Sequence, residues 1–228
     1  MKQNFYDLHT ADEYNYLPII KKYKPYITGY LDRIKRVLDL SICNNMRLSV
    51  LRFDLRMPRY YHPDVHYSDQ LMPAFFQSLK AQLDNADIRG QRYSGRAHPH
   101  RMRYLWVREN NNPDGYHHYH CAIFVNRDRY RSLGDISHAY QHIDRYGTTP
   151  NTLLGYIYSA WMRALRLNVH DVRGLVHIPH NHTYRVDQND CSGFFQAYSE
   201  VFYRLSYFAK LRTKNFDDGH RNLGCSIK

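Results

Sequence analysis

The sequence predicts a single α+β domain in which helices pack on a central, mainly antiparallel β-sheet. Short runs of alternating β-branched and aromatic residues are separated by stretches whose apolar residues recur every three or four positions. The long apolar runs typical of a buried parallel sheet are missing. A length of 228 residues with 43% hydrophobic residues suits one domain with a sizeable core, and no Ser/Gly/Pro-rich spacer divides it.

Residues 1–44 are predicted to form a helical N-terminal extension. Apolar side chains recur at helical spacing from Tyr16 to Leu38, with Lys and Arg between them, and Pro25 is expected to divide the segment into two helices. Residues 45–215 would form the core of the domain, and residues 216–228 a short tail.

The first predicted strand runs from Met46 to Leu55. Because side chains alternate along a strand, one face carries Leu51, Phe53 and Leu55 and the other carries Val50, Arg52 and Asp54. A helix capped by Ser68 is predicted to continue to Ala86. The Arg- and Gly-rich residues 87–101 are predicted to be a loop, which either holds phosphates or is a solvated connection.

Three further elements are predicted towards the C-terminus. Thr149 and Pro150 resemble the cap and first turn of a helix that ends near Leu165. Gly174–Ile178 is a short strand, and a last long helix is expected from Asp190 or Ser192 to Lys214.

A β-hairpin is predicted near the middle of the chain. Arg103–Glu109 and residues 117–125 have strand-like alternation, and residues 110–115 between them are turn formers. Side chains two apart on a strand share a face, so His118 and His120 point the same way. Two neighbouring imidazoles on a rigid strand make half of a metal site.

The last predicted helix has two distinct faces. At 100° per residue, Tyr203, Tyr207 and Lys210 share one face. The opposite stripe is apolar and suits the core: Phe194, Tyr198, Val201, Leu205 and Phe208. A phenol with a pKa near its usual value of about 10 is a poor nucleophile, and a nearby cation corrects this by favouring phenolate.

Composition narrows the class of partner. Lys and Arg exceed Asp and Glu by 11, which favours a polyanionic partner. Some of the 22 Tyr and 10 Phe could stack on unpaired bases, although most must lie in the core. The four cysteines are scattered without CxxC spacing and the N-terminus carries no apolar signal segment, so a reduced cytoplasm is expected. No apolar run reaches membrane-spanning length, and no membrane partner is expected.

The ordered pair of motifs resembles the HUH endonuclease superfamily, in which two histidines flank a hydrophobic residue. Tyr119 stands between His118 and His120, and residues 203–210 resemble the YxxxYxxK motif of two-tyrosine rolling-circle replication initiators. The sequence pattern of the final helix, with its Tyr-Phe-Ala-Lys stretch, is most similar to that of the inovirus-type, YagK/YfjJ-like replication proteins. The resemblance covers roughly Met46 to Asn215 and implies a fold similar to the Rep nucleases, with an RRM- or ferredoxin-like core.

The resemblance also implies roles for individual residues. His118 and His120 would be metal ligands, Tyr207 the nucleophile and Tyr203 a second nucleophile. Lys210 would steady either the phosphate or the charge close to the metal. Glu109 is the expected third ligand. Asp114 and His117 are alternatives, because the register of the turn cannot be read from sequence. Basic residues of the sheet face and loops are expected to bind DNA: Arg52, Arg92, Arg96, Arg101, Arg103 and Lys214.

The implied function is nicking and rejoining of single-stranded or locally unwound DNA at a replication origin, in the cytoplasm of a bacterial host. Mg²⁺ or Mn²⁺ suits the mixed ligand set, and Zn²⁺ would also be accepted. The chain has no GxxxxGK[ST] loop, the motif that binds a nucleoside triphosphate, so the sequence does not predict that it unwinds DNA itself. Recruitment of a host helicase or other replication protein is left open. Two alternatives remain: a non-catalytic, basic, regulatory nucleic-acid-binding protein, or a transposase or relaxase of the same superfamily. His177, His180 and His182 could form a second metal site or be ordinary loop histidines.

Overall fold

The computed structural model describes residues 7–59, 69–95, 98–110 and 116–227. Three residues with predicted roles lie outside these ranges: Ser68 as a helix cap, Arg96 as a DNA contact and Asp114 as an alternative metal ligand.

Two small β-ribbons form the N-terminal segment. Strand β1 (Leu8–His9) pairs with β4 (Tyr26–Ile27), and β2 (Glu13–Tyr14) pairs with β3 (Leu17–Pro18). Asn15 and Tyr16 connect β2 to β3 with φ of 49° and 63°, the consecutive left-handed pair typical of a two-residue hairpin turn. The first of the two helices predicted for residues 1–44 is therefore wrong for residues 7–27. Among the described residues of this segment, the second helix forms as α1 (Thr28–Asn44), preceded by a single 3₁₀ turn at Lys21–Tyr23.

The central sheet is antiparallel at every described pairing, which confirms the predicted fold class. Its strands are β5 (Arg47–Arg56), β6 (Arg103–Glu109), β7 (His118–Asn126), β8 (Val176–His177), β9 (Thr183–Asp187) and β10 (Leu223–Cys225). The order is β10-β6-β7-β5, and both β8 and β9 pair with the outer edge of β5. The predicted tail thus supplies an edge strand.

Helices cover both faces of the sheet. On one face, Leu51, Phe53 and Leu55 of β5 pack beneath α2 (Leu71–Ser94), α3 (Ile136–Tyr146) and α4 (Leu153–Leu165). On the other face, Val50 and its neighbours pack beneath α1 and α5 (Phe194–Ser206). The predicted division of β5 between two faces is confirmed. The paired histidines of β7 lie on the face covered by α1 and α5, because the intervening Tyr119 belongs to the opposite core.

Several predicted boundaries differ from the structure. Helix α2 continues to Ser94 and ends at Gly95, whose φ of +66° suits a glycine, so the predicted loop is helical over residues 87–94. The cap of α4 is Thr152, whose hydroxyl accepts a hydrogen bond from the Gly155 amide, and not Thr149. Helix α3 and strand β9 were not predicted.

The last helix is shorter than its pattern predicts. Helix α5 ends at Ser206 and is followed by a 3₁₀ turn at Tyr207–Ala209. Lys210 has an extended backbone and forms an isolated antiparallel β-bridge with Tyr26. The amide of the next residue, Leu211, donates a hydrogen bond to the Pro25 carbonyl. Pairing with the N-terminal segment therefore replaces the last predicted turns of helix. Among the described residues, every helix is too short or too polar to cross a lipid bilayer.

Candidate metal centre

The β6–β7 pairing brings three potential metal ligands together. Glu109 lies directly opposite His118 in the antiparallel register, and His120 lies two residues further along the same face. One ligand atom from each of the three lies within 4.8 Å of the others. They form the candidate metal centre, which among the described residues is the one group of three or more His, Cys, Asp or Glu side chains close enough to hold an ion.

Glu109 is the centre of this arrangement. Its Oε2 lies 3.2 Å from Nε2 of His120 and 3.9 Å from Nε2 of His118. Burial and the neighbouring His120 lower the pKa of His118 to about 4, so this imidazole is neutral at physiological pH. A neutral imidazole nitrogen is the form that binds a metal ion.

Two lysines compensate the buried charge of Glu109. Lys210 Nζ lies 2.7 Å from Oε2 and Lys214 Nζ lies 3.0 Å from Oε1, and the side chains are 1% and 0% exposed. Burial alone would raise the pKa of Glu109, but the hydrogen bond with His120 and the charge of Lys214 outweigh it and hold the pKa well below its usual value. Glu109 is therefore a carboxylate.

Asp54 on β5 positions His120 from the other side. The two residues are opposite in register, and Asp54 Oδ1 lies 2.6 Å from Nδ1 of His120. Its second oxygen lies 3.2 Å from Nδ1 of His177 on β8. Since Nδ1 of His120 is held by Asp54, Nε2 is the atom presented to Glu109 and to the centre.

Tyr207 reaches the same centre from the end of α5. Its ring centroid lies 5.2 Å from that of His120, and Lys210 Nζ lies 3.4 Å from the centroid of the Tyr207 ring. Burial and the charge of Glu109 raise the pKa of Tyr207 to about 12, so the phenol is protonated at neutral pH. The ring of Tyr23, which lies in the 3₁₀ turn before Pro25, meets the Tyr207 ring in a T-shaped contact with 5.0 Å between the ring centroids.

Tyr203 lies apart from Tyr207. It is 43% exposed and lines a separate groove with Tyr184 and Arg204. The two tyrosines are one turn apart, but Tyr207 packs against the ring of His120 whereas Tyr203 faces the groove.

The predicted DNA contacts do not form one surface. Arg52 is buried on the same face as the metal centre. Lys214 is fully buried against Glu109, which leaves no exposed amine for a DNA backbone. Arg103 and Glu109 lie at opposite ends of β6. At the usual rise per residue, about 20 Å separates Arg103 from the metal centre. Arg101 donates to the Asn44 carbonyl, and Arg92 is exposed on the last turn of α2.

The other predicted ligand histidines lie outside the centre. His117 is not in the ligand group, and burial lowers its pKa to about 4. His177 contacts Asp54, whereas His180 is exposed on the loop that follows. His177, His180 and His182 do not form a ligand group among the described residues.

The residues present fit a divalent cation. Two imidazole nitrogens and one carboxylate oxygen lie close enough to share one ion. The two histidines also line a cleft of about 520 Å³, together with Asp54, Arg56 and Arg59. This donor set suits Mg²⁺ or Mn²⁺ with water in the remaining positions, and it would also accept Zn²⁺. The sequence predicted no role for Asp54 at the site. The signal was its position on the same face of β5 as Arg52.

Together, the fold and site define an α+β protein with a candidate His/His/Glu metal centre on one face of its sheet. The chain belongs to the YagK/YfjJ C-terminal domain family, whose model matches residues 9–226. It is 33% identical over 211 residues to the uncharacterized protein YfjJ of Escherichia coli K12, covering 88% of this chain and 95% of YfjJ. It is 32% identical over 207 residues to the uncharacterized protein YagK of the same strain, covering 88% of this chain and 93% of YagK. No solved structure matches significantly.

Proposed function

We propose that this protein is a metal-dependent HUH-type endonuclease and strand transferase that nicks single-stranded DNA to start rolling-circle replication of a phage, prophage or plasmid. The observation that carries the proposal is the packing of Tyr207 against His120, with the Lys210 ammonium over the phenol ring. A potential nucleophile, a candidate metal ligand and a cation thus lie together on one side of the sheet.

In the proposed step, Tyr207 Oη attacks the scissile phosphorus. A bond forms between Oη and phosphorus, the bond from phosphorus to O3′ breaks, the phenol proton passes to solvent and the leaving oxygen takes up a proton. The products are a 5′-phosphotyrosine and a free 3′-OH that can prime synthesis. The bound cation would withdraw negative charge from the phosphate and align it.

The chain's own residues prepare this attack. Lys210 lies between Glu109 and the Tyr207 ring, so its charge favours phenolate as the proton leaves. Asp54 orients His120 through Nδ1. Tyr23 packs against Tyr207 and limits the positions that its ring can adopt.

Tyr203 is the proposed acceptor for the second transfer. It lies one turn before Tyr207, about 6 Å along the helix axis, and its exposure leaves it free to receive a strand. Rejoining would reverse the chemistry of the first step, so it needs no further reactant.

Charge and shape favour an unpaired DNA strand as the substrate. Arg56 and Arg59 line the cleft beside the histidines and can contact the backbone of an incoming strand. The proposed partners are an origin strand and host replication proteins, including a helicase, in a bacterial cytoplasm.

The test uses end-labelled single-stranded oligonucleotides tiled across the replicon that encodes the protein, mixed with the full chain and Mn²⁺. A protein–DNA adduct that survives denaturation is expected on one strand. Tyr207→Phe and His120→Ala should each abolish it, whereas Tyr203→Phe, the matched control one turn away, should retain the first adduct.

Two results would overturn the proposal. An undiminished adduct with Tyr207→Phe would assign the nucleophile elsewhere. Absence of an adduct on every strand, together with salt-sensitive DNA binding by the folded protein, would identify a non-catalytic DNA-binding protein instead.

A further inference from the structure

Two arginines on the metal-centre face lack the partners that buried cations normally have. Arg52 is 3% exposed and Arg204 is half-buried. The Nε atom of each is buried without a hydrogen-bond partner. Neither guanidinium forms an ion pair with a carboxylate in the part of the chain that the structure describes. A buried cation without an ion-pair partner is costly, and an anionic ligand would lower that cost.

The two arginines also act on each other. The charge of Arg204 opposes that of Arg52, and after burial it is the largest influence that lowers the pKa of Arg52. The nearest acid on β5 is Asp54, but both of its oxygens already contact histidines. Arg52 instead stacks on Phe208, 5.0 Å from the ring centroid. The charge of Asp54 partly offsets that of Arg52 but does not pair with it.

Their location connects the metal centre to a second feature of the surface. Arg52 precedes Asp54 by two residues on the same face of β5, a separation of about 7 Å. On the other side of Arg52 along β5, two residues before it, Val50 lies opposite Tyr184 of β9. Arg52 therefore lies between the metal centre and the groove lined by Tyr184.

That groove is suited to nucleobases. It has a volume of about 570 Å³ and carries the aromatic side chains of Tyr184, Phe195 and Tyr203, with Phe195 65% exposed. Arg204 lies on its wall, and Glu200 is the one acid among the residues that line it. Exposed aromatic rings beside guanidinium groups are how proteins hold single-stranded nucleic acids without reading their sequence.

We propose that Arg52 and Arg204 form a phosphate-binding subsite, and that the Tyr184, Phe195 and Tyr203 groove holds bases of the same strand. The ligand is a phosphodiester of single-stranded DNA close to the one at the metal centre. This inference rests on the proposed function for the identity of the strand, but the anion site itself follows from the two buried Nε atoms that have no hydrogen-bond partner. An anion there offsets the repulsion between the two arginines.

The experiment measures binding without chemistry. Fluorescein-labelled oligodeoxythymidylate is titrated into the Tyr207→Phe protein in EDTA, at a series of salt concentrations. Arg204→Gln and Arg52→Met should each weaken binding about tenfold, equivalent to about 1.4 kcal/mol. Each should also reduce the slope of log K against log salt by about 0.7. The control Arg185→Gln removes an exposed arginine next to Tyr184 on β9 and should change neither quantity appreciably.

A stability measurement supplies a second readout. Because removal of one cation relieves repulsion, Arg204→Gln should unfold at a higher temperature than the parent protein when no anion is present. Inorganic phosphate should stabilise the parent and have little effect on this variant. Equal DNA affinity and salt slope in parent, Arg204→Gln and Arg52→Met would overturn the subsite.

The two proposals fail in different ways. If no adduct forms in the nicking assay but binding depends on Arg52 and Arg204, the endonuclease is wrong and the anion subsite stands. If Tyr207-dependent nicking is observed and these variants bind normally, the subsite is wrong and the endonuclease stands.

Discussion

Asp54 and His120 face each other across the β5–β7 pair, with 2.6 Å between Oδ1 and Nδ1. The hydrogen bond leaves Nε2 of the imidazole directed at Glu109. A carboxylate that holds the far nitrogen of a metal-binding histidine fixes both the orientation and the tautomer of the ring. Asp54 is therefore a positioning residue of the candidate metal centre.

Replacement of Asp54 should consequently weaken metal binding without removing a ligand. We expect Asp54→Ala to reduce Mn²⁺ affinity by about 10- to 100-fold, measured by titration calorimetry. Asp54→Asn should recover part of the loss, because its amide oxygen can still accept from Nδ1. The matched control is His177→Ala, which removes the second contact of Asp54 and leaves the first. Equal affinities in Asp54→Ala and the parent would exclude the positioning role.

Metal binding should stabilise the folded protein through His118, His120 and Glu109. At a Mn²⁺ concentration one hundred times Kd, the expected gain in the free energy of unfolding is about 2.7 kcal/mol. A chelator should reverse the gain, and His118→Ala should remove most of it. His180→Ala, which changes an exposed loop histidine, should respond to Mn²⁺ like the parent. An unchanged response in His118→Ala would contradict the assignment of this ligand.

The buried ion group around Glu109 predicts an order of stabilities for the metal-free protein. Glu109→Gln leaves two buried ammonium groups without their carboxylate, whereas Lys214→Met leaves Glu109 in contact with Lys210 and His120. Loss of one partner of a buried pair costs roughly 3–5 kcal/mol. Lys214→Met should lose less than this, because Glu109 keeps two partners, and Glu109→Gln should lose more than Lys214→Met. Urea unfolding followed by circular dichroism measures both. The reverse order would show that another group neutralises the two lysines.

Two helical glycines provide a test of the packing. A Cβ at Gly155 in α4 would lie 1.9 Å from the Pro150 carbonyl oxygen, whereas a Cβ at Gly29 in α1 meets nothing within 4 Å. Gly155→Ala should destabilise the protein because the backbone of the preceding turn must move. Gly29→Ala should stabilise it by up to about 1 kcal/mol. Thermal unfolding midpoints of the two variants, compared with the parent, should shift in opposite directions.

The sequence alone predicted the β6–β7 hairpin, the shared face of His118 and His120, and the apolar stripe of α5, and the structure confirms all three. These features depend on local periodicity, which is two for a strand and 3.6 for a helix. Local periodicity failed at two places, one where a distant segment pairs with the backbone and one where a tight turn interrupts the pattern. The end of α5 is diverted by Tyr26 and Pro25, and Asn15 and Tyr16 turn a helix-like pattern into a hairpin.

What the sequence determined by itself was therefore which residue types share a face: two histidines on one strand, and Arg52 with Asp54 on another. What only the tertiary structure decided was which of these faces meet. The pairing of β5 with β7 brings Asp54 to His120, and the turn after α5 brings Tyr207, but not Tyr203, to the same centre. The physical reason is that strand register and burial across more than sixty residues are set by the packing of the whole core, which no local spacing records.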